Sequence, residues 1–563
     1  MRSSQSGPDA LVTEVVRGVP VRCWADRPRT LVGLLDAALA VSADDILLVD
    51  PARGTTTTYD GFARLVEGAA LDLLDRGLTR GDRVAVLARN GLEAAVAIWA
   101  CARAGLVHVG IPVDSPPARV QALLDLTGAA VLLAQPDLGD GLDAAEVLLG
   151  SEKPWQAGDP EPNEDDTYAL IATSGTTGEP KAVQVTGRMA GHAAAFYSRT
   201  LGLTREDRTA IHLPFAWVSG HVTQLAPAML SGGSAVTMAT FSGPSLVEVA
   251  LTHGVTWLDV VPSIWEVLLR TRAFPELTSV RLAVYGGSPA PPGTLDRVRA
   301  VLPQLRMVDV YALSETCAPV TCLGDVEARR RPGSVGRPAP YVDLRVVSDG
   351  TDVPRGEAGE VWVRSPTVTP GYWGQPPLAP DGWLRTGDLG RLDDEGYLYV
   401  TGRVVDLIIR GGVNIYPAEV EKALLATGLV VDAAAAGLPS RVSGQDVGVV
   451  VVAALGVDPD PVLLRTAVRD ALGPHAVPRR VRRVDAVPRN RNGKVDRAAV
   501  LALLQQGTDL LPVSGAGTSP VSGAGTPPVS GAGTPPVSGA GTSPVSGLET
   551  PPVSGAETPP ASR

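Results

Sequence analysis

Between residues 30 and 500 the apolar positions alternate between short unbroken runs and longer stretches spaced for one helical face. Arg83–Ala88 (RVAVLA) predicts a short buried strand, Leu92–Ala104 a helix, and Leu106–Pro112 a second strand. The same rhythm recurs at Leu282–Tyr285, Pro292–Leu302 and Met307–Tyr311. Strands alternating with helices predict a layered α/β fold, because each sheet must bury its faces against something apolar. Around Gly387–Arg403 the texture changes to GDLGRLDDEGYLYVTGR, which predicts a hairpin turning at Asp393-Asp394-Glu395-Gly396. The following DLIIRGGVNIYPAEVEKALLA predicts a strand, a glycine turn and a helix starting near Pro417, since proline suits the first helical turn. A small α/β unit then runs to about Gln506. These changes place a domain boundary near Arg403–Asp406, dividing residues 1–402 from 403–506.

Residues 507–563 follow a different rule. From Pro512 the chain repeats every eight residues (PVSGAGTS, PVSGAGTP and variants), with no aromatics and only Glu549, Glu557 and Arg563 charged. Such a segment buries too little apolar surface to offset its chain entropy, so a disordered tail is expected. A tether is one use for it; repeat expansion in a tolerant terminus is the preferred reading.

Composition narrows the function. At 563 residues the chain exceeds what one core organises, so several domains are expected. A net charge of −11 argues against a nucleic-acid binder, which needs Lys and Arg to neutralise phosphates. Cys23, Cys101, Cys317 and Cys322 form no C-x-x-C pair, and with six His neither a disulfide scaffold nor a zinc site is expected. The first residues show no uninterrupted apolar core of a signal peptide, and Val447–Val457 is too short to span a bilayer. A cytoplasmic protein with no membrane partner is the expectation.

The sharpest chemical signal is Tyr168–Val183 (YALIATSGTTGEPKAV). An apolar strand runs into Thr173-Ser174-Gly175-Thr176-Thr177-Gly178, and Lys181 follows. Glycines let successive backbone N–H groups face one concavity and hydroxyls add donors, the makings of an anion nest. A lysine beside it supplies a point charge suited to phosphate. The string lacks the G-K-[ST] of a P-loop, and by itself reads equally well as a polar linker.

Seven more strings follow in order: Tyr285-Gly286-Gly287-Ser288-Pro289, Tyr311-Ala312-Leu313-Ser314-Glu315, Gly333–Pro338 (GSVGRP), Trp383–Asp388 (WLRTGD), Gly402-Arg403, Gly411–Glu419 (GGVNIYPAE) and Pro488–Val495 (PRNRNGKV). Together with the first they resemble the signatures of the adenylate-forming superfamily, and most closely its acyl- and aryl-CoA ligases. The resemblance covers nearly all of residues 30–500. It implies a large N-terminal α/β domain of several subdomains and a small, mobile C-terminal α+β domain. It also implies an ATP-dependent, AMP-forming ligase that joins a carboxylic acid to CoA through an acyl-AMP, with Mg²⁺.

The resemblance assigns roles residue by residue. Thr173–Gly178 and Lys181 hold the β- and γ-phosphates; Gly287 and Ser288 line the adenine side, and Tyr311 stacks on the base. Ser314 offers a hydroxyl to a phosphate or to the substrate carboxylate. Glu315 holds Mg²⁺, a hard ion that prefers carboxylate oxygen. Asp388 accepts from the ribose hydroxyls with Arg403 as second contact, and Lys494 is the catalytic lysine of adenylation. Between half-reactions the small domain rotates, withdrawing Lys494 and presenting Gly411 and Gly412 to the pantetheine arm. Family members commonly carry Asp or Lys at the hinge where this chain has Val405, with Asp406 next to it. Ala312 and Ala182 replace more usual glycines, with little consequence expected.

The acid pocket implied lies between Pro214–His221 (PFAWVSGH), the turn at Gly286 and the Tyr311–Val320 stretch, including Ala312 and Leu313. Ala216 stands where amino-acid-activating members place Asp, which disfavours an α-amino acid. Trp217 offers an apolar wall, and His221 is either a partner for a polar substituent or an ordinary core histidine. An aromatic or moderately hydrophobic acid is expected. Rival readings are a ligase that loads a carrier protein in trans, a relative using ATP for amide formation or aryl-amine diazotisation, and an inactive scaffold. The joint presence of Lys181, Glu315, Asp388, Arg403 and Lys494 argues against the last. Because the repeat tail has no core to contribute, truncation after Gln506 should leave catalysis within a few-fold of the full chain. A collapse of activity or solubility in that truncation would contradict the reading.

Overall fold

The computed structural model describes residues 10–146, 162–174, 180–288, 290, 293–410, 413–440, 442–489 and 494–506. Two sheets dominate its N-terminal part. In the larger, Ile46–Asp50, Ser234–Thr237, Arg208–Ile211, Trp257–Val260, Leu282–Gly286 and Arg306–Tyr311 run parallel, and antiparallel strands complete both edges. In the smaller, Thr167–Ser174, Val107–Gly110, Arg83–Leu87 and Val131–Ala134 run parallel, and Pro180–Thr186 folds back antiparallel on Thr167–Ser174. The strands expected near 83, 106, 282 and 307 and the helix expected at 92 are therefore present. The helix expected from Pro292 begins at Thr294, just after Gly293 in the left-handed region.

One core joins the two sheets. Val84, Val86, Ala169 and Ile171 from one, and Trp257, Val284, Val308 and Val310 from the other, enclose the helices Leu31–Ser42, Leu92–Arg103 and Gly187–Leu201. The opposite faces of the same strands are also covered: Ala85, Leu87 and Val109 pack in a second cluster. Burial on both faces is why these strands read as unbroken apolar runs rather than alternating ones.

Polar side chains fix how the two sheets meet. Asp50, 3% exposed at the end of Ile46–Asp50, accepts 2.9 Å from the Leu92 N–H and so caps a helix that Gly91 leaves without a side-chain cap. Asn90 donates to the Ile211 and Leu213 carbonyls and accepts from the Phe215 N–H at 2.8 Å. That clamp sets the path of Pro214–Trp217 over the second sheet.

A third, antiparallel sheet contains Asp343–Ser348, Gly359–Arg364, Leu384–Leu392 and Leu398–Arg403, the last two forming the expected hairpin. After the short turn Val404–Asp406 comes a fourth sheet with Ile408–Arg410, Val413–Ile415, Val430–Ser440, Gly444–Ala453 and Arg480–Arg483. Its central strand carries the longest apolar run of the sequence. Val447, Val449 and Val451 face helices Pro417–Leu425 and Pro461–Leu472, while Val450 faces Arg497–Gln505. No helix among the described residues is long and apolar enough to cross a membrane.

The N-terminal hairpin Leu11–Val16/Val19–Trp24 is fastened by charge. The buried guanidinium of Arg27 donates to both oxygens of Glu14, at 2.9 and 2.8 Å, and to Glu164 at 2.8 Å. Arg188 bridges Glu14 to Asp165. These hydrogen bonds, Arg27's first, hold the Glu14 carboxyl well below the ordinary range. Glu14→Gln should therefore cost about 2–3 kcal/mol near neutral pH, since it leaves two buried cations short of a counter-charge. The carboxyl is depressed in the fold, so the parent's advantage is present above the ordinary Glu range and disappears as pH falls through the lowered value. Urea titrations at pH 7 and pH 3 measure both effects.

Candidate active site

Tyr311 is the last residue of the parallel strand Arg306–Tyr311, and its hydroxyl donates 2.6 Å to Asp388 Oδ2. Asp388 is 5% exposed on the third sheet, directly opposite Arg403, whose Nε donates 2.8 Å to the other carboxylate oxygen. Both oxygens of a buried anion are thus engaged from two different sheets. Burial lowers the Arg403 pKa, and the charge and hydrogen bond of Asp388, together with the Glu315 charge, more than offset it. The Tyr311 phenol is pushed well up, by burial first and by the adjacent carboxylate second.

Glu315 lies in the turn beyond Tyr311. Its carbonyl accepts 2.8 Å from the Thr369 N–H, and its carboxylate accepts 2.8 Å from the Tyr372 hydroxyl. Tyr372 bridges to Val183 on the Pro180–Thr186 strand, and the Trp373 N–H donates 2.8 Å to the Ala182 carbonyl. These backbone bonds bring Lys181, opposite Thr173 in the hairpin, to 5.0 Å from the Tyr372 ring centroid. Tyr372 thus stands between the lysine and the glutamate. Sequence reading missed it, because nothing local in TPGYW marks a partner 57 residues away.

Lys494 comes from the C-terminal residues, just before Asp496 caps the helix Arg497–Gln505. The residue remains exposed, yet its ammonium end senses Arg403, Asp388 and Glu315. Loss of water there, then the Arg403 charge, hold it below the ordinary lysine range against the pull of the two carboxylates. Six of the residues singled out in the sequence therefore converge: Lys181, Tyr311, Glu315, Asp388, Arg403 and Lys494. Ser314, Ala312 and Leu313 are half-buried in the same turn. Gly286 closes on the next strand, where a Cβ would lie 2.2 Å from the Val310 carbonyl. Gly287 is exposed in the left-handed region beside half-buried Ser288. Thr173 and Ser174 end their strand; Gly175, Thr176, Thr177, Gly178, Gly411 and Gly412 lie outside the described residues.

Deeper in, Ser219–Leu225 forms a π-helix, a form often found at functional sites. Its start fits only because Gly220 has no Cβ, which would meet the Pro214 carbonyl at 2.6 Å. Trp217 is half-buried above it. His221 is fully buried, its Nδ1 3.2 Å from the Phe215 carbonyl. The same helix presents Thr223 to Asp259, a buried carboxyl on Trp257–Val260 that sequence reading also missed.

The family model described as AMP-binding enzyme matches residues 35–373, and that for the AMP-binding enzyme C-terminal domain matches 419–494. The chain belongs to the AMP-binding enzyme family. This AMP-binding enzyme is an ATP-dependent, AMP-forming ligase. It is 34% identical over 432 residues to the 2-succinylbenzoate–CoA ligase of Bacillus velezensis, covering 75% of this chain and 87% of that one. It is 30% identical over 474 residues to the long-chain-fatty-acid–CoA ligase FadD13 of Mycobacterium tuberculosis, covering 79% and 93%. Its fold matches o-succinylbenzoate CoA synthetase (MenE) of Bacillus subtilis in complex with ATP and magnesium, with a TM-score of 0.73, 29% identity, and coverage of 84% and 99%.

Within this AMP-binding enzyme Asp259 makes a separate prediction. Burial raises its carboxyl from 3.8 to about 7, against the opposing hydrogen bond from Thr223. The folded chain then keeps a proton that the unfolded chain has released, so stability falls as pH rises through this window and levels off above about 7. Asp259→Asn cannot ionise and should gain on the parent between pH 4 and 7, with a constant difference beyond. Thermal unfolding of both proteins across that range checks it; a pH-independent difference would contradict it.

Proposed function

We propose that this ligase activates an aromatic or medium-length hydrophobic carboxylic acid with ATP and passes the acyl group to CoA. The reading rests above all on the convergence of Lys494 with Asp388, Arg403 and Glu315. A reaction that joins two anions, a carboxylate and a triphosphate, needs cations gathered at the point of attack. In the first step the acid's oxygen attacks the α-phosphorus, the α–β P–O bond breaks, and pyrophosphate leaves with the electron pair. Lys494 bridges the attacking carboxylate and the α-phosphate, neutralising charge that grows as the two approach. Lys181 takes the outgoing phosphates, beside Thr173–Gly178.

Asp388 receives the ribose hydroxyls, and Tyr311 and Arg403 hold it in position for them. Tyr311 also offers its ring to adenine, near Gly287 and Ser288. Among the described residues no group of three or more His, Cys, Asp or Glu is arranged to hold a metal. A single carboxylate suits Mg²⁺, which takes most of its ligands from phosphates and water; Glu315, oriented by Tyr372, fits that role. When bound, the ion neutralises phosphate charge. Ser314 steadies the carboxylate, and Trp217 walls the acid's apolar part.

In the second step the thiol of CoA attacks the acyl carbon, and AMP leaves with the C–O electron pair. We place the domain boundary at the exposed turn Val404–Asp406, with rotation there withdrawing Lys494 and bringing Gly411 and Gly412 to the thiol. Asp406 is anchored 3.5 Å from Arg497 within the C-terminal part, so the exposed Val404 and Val405 are left to absorb the turn. Lys494→Ala should lower acid-dependent pyrophosphate exchange by at least about a hundredfold. It should spare thioester formation from supplied acyl-AMP and CoA. Exchange at the parent's rate would remove Lys494 from the first step.

A further inference from the structure

Three polar side chains lie buried together between the two N-terminal sheets with unbonded atoms among the described residues. His108, on Val107–Gly110, is 2% exposed and neither ring nitrogen has a partner. Tyr168, 5% exposed on the adjacent strand, has an unbonded hydroxyl, and His221 in the π-helix has an unbonded Nε2. The His221 ring centroid lies 6.3 Å from that of His108 and 6.1 Å from that of Tyr168, both edge to face. A buried donor without an acceptor carries its full desolvation penalty, and native cores rarely leave one unmet. Three together point to a polar group that enters from outside.

Their surroundings say where it would come from. Gly110, two residues beyond His108 and on the same face of the strand, packs so tightly on Ala216 that a Cβ would stand 2.4 Å from the Ala216 carbonyl. His221 is tied to the Phe215 carbonyl. The Tyr168 hydroxyl senses the thiol of Cys317, two residues after Glu315. The cluster is thus bounded by the Phe215–Trp217 segment on one side and by the turn carrying Ser314 and Glu315 on the other. These are the segments that carry Trp217 and Ser314, to which the proposed function gives the acid's apolar part and its carboxylate.

The chemistry of the three is uncharged. Burial lowers His108 to about 3 and His221 to about 4, and pushes the Tyr168 phenol up. Near neutral pH His108 offers one donor and one acceptor, His221 offers Nε2 as an acceptor because its Nδ1–H is spent on the Phe215 carbonyl, and the phenol offers both. An ionised substituent would find no counter-charge among them; a hydroxyl, keto or amide group would find partners of both kinds.

We propose that His108, Tyr168 and His221 form a polar subsite of the acid pocket that selects acids carrying an uncharged hydrogen-bonding substituent. The inference rests on acid adenylation as proposed above. Its test is pyrophosphate exchange with aryl-alkanoic and medium-chain acids supplied as matched pairs, with and without one hydroxyl or keto group. The parent should favour the substituted member of at least one pair by tenfold or more in kcat/KM, since a site built to bond a polar group rejects the analogue that lacks it. Tyr168→Phe, which removes only an unbonded oxygen and should not lower the melting temperature, and His108→Leu should each bring that ratio to within about twofold of one. A parent that treats every pair alike, or variants that keep the parent's ratio, would overturn the subsite while leaving adenylation intact. If no acid of any kind drives exchange, adenylation itself fails and the subsite falls with it.

Discussion

The Asp388 carboxylate is where two sheets and the residues before the last helix are held to a common geometry. A buried anion is tolerated only when its oxygens are satisfied, and here the partners come from separate parts of the chain. Tyr311 reaches it from the end of the parallel sheet, Arg403 from the neighbouring strand, and Lys494 senses the same pair from the C-terminal residues. A shift of any one sheet would leave a charge or a phenol without its partner. The requirement to satisfy one carboxylate thereby fixes where a cation from the far end of the sequence can stand.

A second constraint is close backbone approach. Gly110 against Ala216 and Gly220 against Pro214 let the Phe215–Trp217 turn lie flat on the smaller sheet, where Asn90 clamps it. The residues that follow form a π-helix in which His221, Thr223 and Gln224 are all buried. The buried polar groups of this region thus come from one short helix that begins where two backbones approach closely. The same helix also explains why a carboxyl such as Asp259 sits in an apolar layer: it supplies the hydroxyl that meets the carboxyl.

Much of this was legible in the sequence, and for physical reasons. Strands buried on both faces leave unbroken apolar runs, so Arg83–Leu87 and Arg306–Tyr311 announce themselves, whereas Asp388, Arg403 and Lys494 were marked only by the family resemblance of the strings that contain them. What stayed hidden depends on long-range pairing. Tyr372 matters only because its backbone bridges to Val183 and its hydroxyl finds Glu315. Asn90 matters through Phe215, 125 residues away. His108 reads as one polar interruption of a buried strand, and only the fold shows that Tyr168 and His221 share its enclosure. Periodicity reports which face is buried; it does not report what waits on the other side.

The most direct measurement is a product analysis with ATP and Mg²⁺ across fatty, aryl and amino acids, each with and without CoA, followed by mass spectrometry. An acid–thiol ligase built as described releases pyrophosphate with an aromatic or medium hydrophobic acid, and yields AMP and the acyl-CoA when the thiol is present. Cleavage of ATP to ADP and phosphate, or acyl-AMP that accumulates unchanged beside CoA, would contradict it.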